Sequence, residues 1–425
     1  MSTKFQTSAE SFEKHSLFHK LSKEDQNFLL TLGGKYRFTF SELQFLIEVS
    51  RDLEMWRRHN LMTIWGQYEK EVPTHYQNKQ IKEICLKSVK EYMDSQRSLP
   101  KEYNLSPQAP QRKQSKIKLD HSERSLLGDC PVYSEKLVCC QLKTLDAVQN
   151  CAYGCSYCTI QTFYEDEFRF DANLPDKLQQ LNLNPDKFYH IGTGQSSDSL
   201  FWGNKNDVLK NLLDFAEGNK NMLLEFKTKS ANVKYLLSRP LPTNIVCSWS
   251  LNPQTVIDHE EHFSASLEDR LSAARECADH GCKVAFHFHP IIYYKGWQKD
   301  YADLAAEVLA RFKPDEVLFI SFGSVTFIKP VLQKIRERGD PGLILQMELV
   351  PDPHGKLSYP DDIKKELFAH LYSAFDMWHG KVFMYLCMEH ERFWDDLFGW
   401  HYGTNDEFGS HFALEAGKKC GYNWR

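Results

Sequence analysis

The sequence contains no apolar run long enough to cross a membrane, and it does not open on a segment that resembles a secretion signal. A membrane-spanning helix needs about 20 predominantly apolar residues, and a signal peptide places an apolar stretch after a basic start. The sequence also lacks a large excess of charge of either sign. Its 52 Lys and Arg residues nearly balance its 57 Asp and Glu residues, which leaves a net charge of −5. This balance argues against a protein that grips duplex nucleic acid over a broad basic face. We expect a cytoplasmic protein without a membrane partner.

Three of the 12 cysteines lie within eight residues, at Cys151, Cys155 and Cys158. A 4Fe–4S cluster is held by cysteine thiolates, normally four, so three ligands leave one iron open to a cofactor. We expect Gly154 to let this loop curl so that the sulfurs converge. A structural zinc site would need a second cysteine or histidine knuckle, and the sequence has none at a suitable distance. The spacing therefore predicts a 4Fe–4S cluster.

The chain is long enough for one large domain and a smaller one. Residues 1–105 have helical periodicity, with Ser22 as a helix cap and Thr39 and Glu42 at capping-box spacing. A Pro- and Gln-rich basic stretch over 106–120 predicts a linker. We therefore expect a helical domain before the linker.

From residue 121 to 425 short β-rich runs alternate with helical patterns, and the tail after Phe393 is rich in aromatic residues. This alternation predicts right-handed βαβ crossovers and a parallel sheet. We predict an α/β fold, a partial or complete (β/α) barrel whose site lies at the carboxyl ends of the strands. The predicted strands are Leu137–Leu142, Phe188–Gly192, Met222–Phe226, Ile245–Ser250, Lys283–Ile292, Val317–Ser321, Leu343–Leu349 and Val382–Cys387.

Several distinct motifs follow one another through this region. They are the cysteine loop through Thr162, Gly192-Thr193-Gly194 before Asp198, the run from Glu225 to Ser230, Ser248-Trp249-Ser250-Leu251-Asn252-Pro253, Phe286–Ile292 and Tyr385–Glu389. Together they cover roughly residues 137–400, which is more specific than a single motif. In this order the sequence resembles spore photoproduct lyase and its relatives in the radical S-adenosylmethionine (SAM) superfamily.

The resemblance implies a cofactor set of a 4Fe–4S cluster and SAM. It implies that Cys151, Cys155 and Cys158 bind the cluster. Tyr157 then holds the SAM adenine, and Lys229 meets the SAM carboxylate through a charge-assisted hydrogen bond. The remaining SAM contacts implied by the resemblance are Gly192, Gly194, Ser197, Ser250 and Asn252.

Two positions depart from the family pattern. The DNA-repairing lyases donate hydrogen from a cysteine where this sequence has Gln195, and they place a relay tyrosine where it has Thr159. Glutamine is no substitute, because its N–H bonds are far stronger than S–H. We consider Cys139, Cys140 and Cys247 as replacements if a side chain points into the barrel, although free cysteines are more often small buried apolar residues.

Further candidates lie later in the chain. His287 and His289 alternate along one strand and so share a face, where they are candidates for binding substrate phosphate or transferring protons. Tyr293 and Tyr294 follow as candidate substrate contacts. The segment His259–His262 lacks the HExxH spacing of zinc proteases, so we predict a polar loop.

The resemblance implies that the reduced cluster cleaves SAM to a 5′-deoxyadenosyl radical, which abstracts hydrogen from a nucleobase substrate such as a DNA photoproduct. An external electron donor such as flavodoxin or ferredoxin is implied as well. The alternative is a radical SAM enzyme for a small molecule or peptide, favoured by Gln195, Thr159 and the acidic net charge. A third interpretation is a non-catalytic iron–sulfur protein that binds nucleic acid.

Overall fold

The computed structural model describes residues 12–111, 115–130, 137–160, 167–352 and 355–424. The end of the cysteine-loop motif, at 161–162, and part of the predicted linker, at 112–114, lie outside the described residues. The helices are α1 (Lys23–Lys35), α2 (Phe40–Trp56), α3 (Leu61–Glu71), α4 (Asn78–Ser98), α5 (Leu174–Gln180), α6 (Val208–Gly218), α7 (Gln254–Glu260), α8 (Leu267–Asp279), α9 (Trp297–Arg311), α10 (Lys329–Arg338), α11 (Asp361–Ala374), α12 (Glu391–Phe398) and α13 (Asn405–Cys420).

The strands are mostly short. They are β1 (Lys116–Asp120), β2 (Leu127–Asp129), β3 (Lys143–Leu145), β4 (Val148–Gln149), β5 (Gly154–Cys155), β6 (Glu167–Asp171), β7 (Tyr189–Thr193), β8 (Met222–Thr228), β9 (Ile245–Ser250), β10 (Glu261–His262), β11 (Lys283–Ile291), β12 (Val317–Ser324), β13 (Thr326–Phe327), β14 (Val350–Pro351), β15 (Leu357–Ser358) and β16 (Phe383–Leu386). Among the residues described, no helix combines the length and the apolar character that crossing a membrane requires.

The chain divides into two compact units, the first built from residues 1–110, 156–162 and 327–358. Its helices begin as the sequence predicts, since the Ser22 side chain caps α1, and Thr39 and Glu42 form a capping box at the start of α2. The helix α10 joins this unit from much later in the chain.

A buried carboxylate holds α10 in the first unit. Asp52 on α2 is fully buried and accepts hydrogen bonds from Arg97 Nη2 at 2.9 Å and Arg336 Nε at 2.8 Å. A carboxylate without solvent is retained only when such cationic partners satisfy it. Residues far apart in the sequence thereby form one helical body.

The predicted strand Leu343–Leu349 is wrong. This segment forms turns, although Ile344, Leu345 and Met347 are buried. The Gly342 N–H donates to the carbonyl of Met55 at 3.1 Å, which ties the segment to α2. Its apolar residues are buried by the first unit and do not join a sheet, a distinction that hydrophobicity alone does not make.

The second unit, residues 111–155, 163–326 and 359–425, contains an eight-stranded curled sheet. The strand order is β16-β12-β11-β9-β8-β7-β3-β2, and every pairing is parallel except β2 with β3. This confirms the predicted α/β half-barrel, and the other strand predictions from Phe188 onward match within a few residues. The first predicted strand is displaced, because pairing begins at Lys143, and within 137–142 only Val138 forms an isolated bridge, with Glu389.

The two faces of the curled sheet differ in chemistry. Cys247 on β9 lies on the face covered by α8, since its Sγ is 3.7 Å from Cys282 Sγ and it also contacts Cys277 of α8. Side chains alternate along a strand, so Ser248 and Ser250 point to the opposite, inner face. The aromatic tail closes part of that face, because Phe412 on α13 stacks on His190 with ring centroids 4.6 Å apart.

An ion pair between α8 and the start of β12 gives a prediction for acid stability. Arg275 donates to Glu316 twice, at 2.8 and 2.7 Å, and these bonds lower the pKa of Glu316 to about 2 from 4.5. A lowered pKa stabilises the fold above the unfolded value, and the effect is lost as the pH falls from 4.5 toward 2. We expect Glu316→Gln to reduce the free energy of unfolding by about 1 kcal/mol at pH 7 and to have no effect near pH 2, as measured by urea denaturation. An equal deficit at both pH values would contradict this assignment.

Candidate functional site

The cysteine loop follows β4, and one of its thiols is fixed by strand pairing. Cys155 lies in β5, which pairs antiparallel with β10 so that Cys155 stands opposite Glu261 and Gly154 opposite His262. Cys151, Cys155 and Cys158 are all half-buried, and none of the 12 cysteines forms a disulfide. Soft thiolates of this kind suit an iron–sulfur cluster.

No group of three or more His, Cys, Asp or Glu side chains in the described part of the chain could hold a metal ion. In an iron–sulfur cube each cysteine binds a different iron, so the thiolates need not meet at one point. Thiols are the donors that such a cluster takes. Cys151 and Cys155 belong to the second unit and Cys158 to the first, and their roles as cluster ligands stay predictions.

The turn into the loop is made by Asn150 and not by Gly154. Asn150 adopts the left-handed conformation (φ 70°), which asparagine tolerates better than most residues. Gly154 lies in β5 without a positive φ, and a β-carbon there would make ordinary contacts, 3.4 Å from the Cβ of His262 and from the ring of Phe263. The expectation that Gly154 curls the loop is therefore wrong.

A buried polar network surrounds the Glu261 side chain of β10. The Glu261 carboxylate accepts hydrogen bonds from Arg270 Nη2 at 2.6 Å and Asn252 Nδ2 at 2.8 Å. Arg270 Nη1 donates to the carbonyl of Ser250 at 2.8 Å, and Tyr301 donates to Asn252 Oδ1 at 2.6 Å. The network joins β10 to Arg270 of α8, to Tyr301 of α9 and to the end of β9, and Asn252 and Arg270 are fully buried.

This network corrects one prediction and leaves two untested. The segment His259–His262 is not a polar loop, because Glu260, Glu261 and His262 are buried in the end of α7 and in β10. The positive charge that compensates the buried Glu261 carboxylate comes from Arg270, which lies later in the sequence on α8. The SAM roles predicted for Ser250 and Asn252 remain predictions, since their contacts here are structural.

Asp198 links the segment after β7 to the end of β8 through hydrogen bonds. This buried carboxylate accepts hydrogen bonds from the Lys229 N–H at 2.7 Å, the Thr228 hydroxyl at 2.8 Å, the Phe201 N–H at 2.9 Å and the Leu200 N–H at 3.1 Å. It thereby fixes the backbone that carries Lys229. The sequence motif contained Asp198, but the role of its carboxylate depends on contacts between separate strands.

Gly192, Gly194 and Ser197 lie at this same edge. Gly194 has φ 81°, and a β-carbon there would come within 2.7 Å of the Lys227 carbonyl oxygen, so only glycine fits. A β-carbon on Gly192 would lie 3.0 Å from Leu142. Ser197 donates to the carbonyl of Asn150 at 3.0 Å, which joins this edge to the residue before Cys151. The predicted SAM residues of β7 and β8 are thus brought beside the cysteine loop, whereas Tyr157 is buried in the first unit.

The inner face holds a buried carboxylate that the sequence analysis did not assign. Glu225 accepts from His190 Nε2 at 2.8 Å, from His287 Nε2 at 2.6 Å and from the Ser248 hydroxyl at 2.6 Å. Burial alone would raise the pKa of Glu225, but Lys227 and both histidines hold it well below its usual range. His287, whose Nδ1 is 2.5 Å from Ser321 Oγ, is therefore locked in a structural network.

The three other catalytic candidates lie near the end of β11. His289 is half-buried on the inner face, and Tyr293 is half-buried with its ring against Trp297 and Tyr359. Tyr294 is buried and donates to Asp300 at 2.6 Å, so its hydroxyl is directed into the protein. Of the tyrosine pair, Tyr293 has the more accessible side chain.

Among the proposed replacement thiols, Cys140 has the most suitable surroundings. The Cys140 and Cys387 side chains lie close enough to interact electrostatically. A hydrogen bond from Cys139 and burial raise the pKa of Cys140, whose neighbours include His190 on the inner face. Both thiols therefore keep their S–H bonds, since burial also raises the pKa of Cys387.

Comparison with known proteins gives a consistent picture. Residues 144–349 match the family model "Spore photoproduct lyase". A spore photoproduct lyase of Clostridium acetobutylicum is 27% identical over 200 residues, which cover 45% of this chain and 59% of that protein. That of Bacillus subtilis is 24% identical over 207 residues, 47% of this chain and 60% of that protein. The chain thus spans about three fifths of the length of the curated relatives that it matches.

Solved structures of similar fold carry the same name. Spore photoproduct lyase complexed with dinucleoside spore photoproduct has a TM-score of 0.55 and 21% identity, covering 67% of this chain and 88% of that one. A variant with bound AdoMet and dinucleoside spore photoproduct has a TM-score of 0.54 and 22% identity, covering 66% and 87%. These likenesses establish the fold of the sheet.

Proposed function

We propose that the protein is a radical SAM enzyme of the spore photoproduct lyase-like family and that it acts on a nucleotide substrate, because residues 144–349 match that family's model and the curated relatives carry the same name. The observation that carries the proposal is the meeting of two elements at one edge of the half-barrel. The loop entered at Asn150 is joined through Ser197 to the turn after β7, and Asp198 joins that turn to Lys229.

In this proposal Cys151, Cys155 and Cys158 hold a 4Fe–4S cluster, and Lys229 pairs with the SAM carboxylate. When bound, these groups supply one-electron chemistry that ends in hydrogen abstraction from the substrate. The protein's own side chains contribute by positioning the groups that would contact SAM. Asp198 fixes the backbone of Lys229, and Gly194 leaves the space that a side chain would fill.

The carboxylate of the inner face is also preorganised. Glu225 is held by three donors, and Phe412 covers His190. A preorganised interior limits side reactions of a reactive substrate. Cys140 is our candidate hydrogen donor in place of the residue at Gln195, because its thiol stays protonated beside the inner face.

We further propose a cytoplasmic location and an external electron donor such as flavodoxin or ferredoxin. No disulfide joins any of the 12 cysteines, a state that a reducing compartment maintains. The one-electron chemistry requires a reductant.

The substrate assignment is tested with dinucleoside spore photoproduct, the molecule bound by two of the similar structures. We expect the anaerobic, cluster-loaded protein with SAM and reductant to convert it to its two separate nucleosides, detected by liquid chromatography. Cys140→Ala should release deoxyadenosine but form little repaired product, while Cys247→Ala, altered on the opposite sheet face, should behave as wild type. Deoxyadenosine release without any conversion by the wild-type protein would refute this substrate and favour a small-molecule or peptide substrate, as Gln195 and Thr159 suggest.

A further inference from the structure

Two side chains on the inner face have no hydrogen-bond or ion-pair partner among the described residues, although their neighbours are fully engaged. They are the ammonium group of Lys227 and the imidazole of His289. Glu225, by contrast, accepts three hydrogen bonds, and Asp198 accepts four. Unsatisfied polar groups on a mostly buried face are costly, which makes them candidates for ligand contacts.

Strand geometry directs both groups to the same side. Lys227 follows Glu225 by two residues on β8, so both side chains share the inner face. His289 follows His287 by two residues on β11, where Ser250 and His287 are in register. The imidazole rests against β12, because a β-carbon on Gly323 would come within 2.8 Å of the His289 ring. Gly323 thus provides the space that His289 occupies.

The two groups differ in charge. Burial, His287 and the two lysines lower the pKa of His289 to about 3, so it is a neutral donor at pH 7. Burial would lower the pKa of Lys227, but the Glu225 carboxylate raises it, so the ammonium stays charged. Within the described part of the chain, Glu225 accepts its hydrogen bonds from His190, His287 and Ser248 and none from Lys227. An ammonium group that makes no hydrogen bond to the protein favours an anionic ligand.

We propose that Lys227 and His289 form a subsite for a terminal oxyanion of the substrate, a phosphate or a carboxylate group, distinct from the SAM carboxylate assigned to Lys229. Two donors of this kind bind an oxyanion through charge-assisted and neutral hydrogen bonds. The subsite rests on the proposed function, since it gives the substrate of the same barrel an acidic group.

The subsite is tested by equilibrium dialysis of radiolabelled inorganic phosphate and, in a second arm, acetate against the cluster-loaded protein without SAM. We expect Lys227→Met to weaken binding at least tenfold, because one charge-assisted hydrogen bond contributes about 1.5–3 kcal/mol. Lys227→Arg should retain binding. Lys234→Met removes an exposed lysine of equal charge and should match the wild type. The arm that binds identifies the oxyanion.

Equal binding by the wild type and Lys227→Met, or no binding of either anion by the wild type, would overturn the subsite. SAM binding by Lys227→Met, measured in parallel, verifies that the variant is folded, and Lys229→Met should lose SAM while keeping phosphate or acetate. The anion readout needs no turnover. A protein that binds the anion through Lys227 but releases no deoxyadenosine would refute the proposed function and leave the subsite standing.

Discussion

Replacing Cys155 with alanine is expected to abolish the brown absorbance of the reconstituted protein and to lower SAM cleavage at least a hundredfold. Cys155 is the thiol whose backbone is fixed by pairing with Glu261. Two remaining thiolates cannot hold a cubane that three already leave with an open iron. Iron and sulfide content and the visible spectrum measure the first effect, and chromatography of deoxyadenosine the second.

Cys85→Ala provides a matched control, because it removes a buried thiol from α4, outside the cysteine loop. It should keep the cluster and the cleavage activity. A Cys155→Ala protein with wild-type iron content and cleavage would mean that the loop does not bind the cluster.

The second large effect is expected at Glu261. This carboxylate is about 1% exposed and satisfies both Arg270 and Asn252, so its removal leaves a buried guanidinium without its partner. Breaking a buried ion pair on one side typically costs 3–5 kcal/mol. Because β10 also pairs with Cys155, we expect Glu261→Ala to lower the thermal midpoint and to reduce cluster loading together.

Glu268→Gln is the matched control for this change. Glu268 lies on the exposed side of α8, where it pairs with Arg311, and exposed ion pairs contribute little. Its midpoint and iron content should equal those of the wild type. Unchanged stability of Glu261→Ala would show that Arg270 finds another partner and that the network does not support the cysteine loop.

Local chemistry explains what could be predicted from the sequence. Ser22 and the Thr39–Glu42 pair act on their own helix ends, and strands such as Ile245–Ser250 are bounded by turn residues on either side. The cysteine spacing and Lys229 were recognisable because each motif is contiguous.

The residues that sequence reasoning missed act over long separations. The Asp198 carboxylate, which follows β7, accepts a hydrogen bond from the Lys229 N–H, which follows β8. The charge of Glu261 is neutralised by Arg270 from the next helix. Cys140 and Cys387 lie near each other although they are far apart in the sequence. Such contacts depend on strand register and helix placement, which a single sequence does not specify. The strand prediction for Leu343–Leu349 was wrong for the same reason, because the segment is tied to α2, which lies some 290 residues earlier.

The most direct test of the account is deoxyadenosine formation by the reconstituted wild-type protein with SAM and a strong reductant under anaerobic conditions. We expect release well above that of Cys155→Ala, and release that depends on both reductant and SAM. A wild-type protein that carries a full complement of iron and sulfide, yet forms no more deoxyadenosine than the variant, would contradict it.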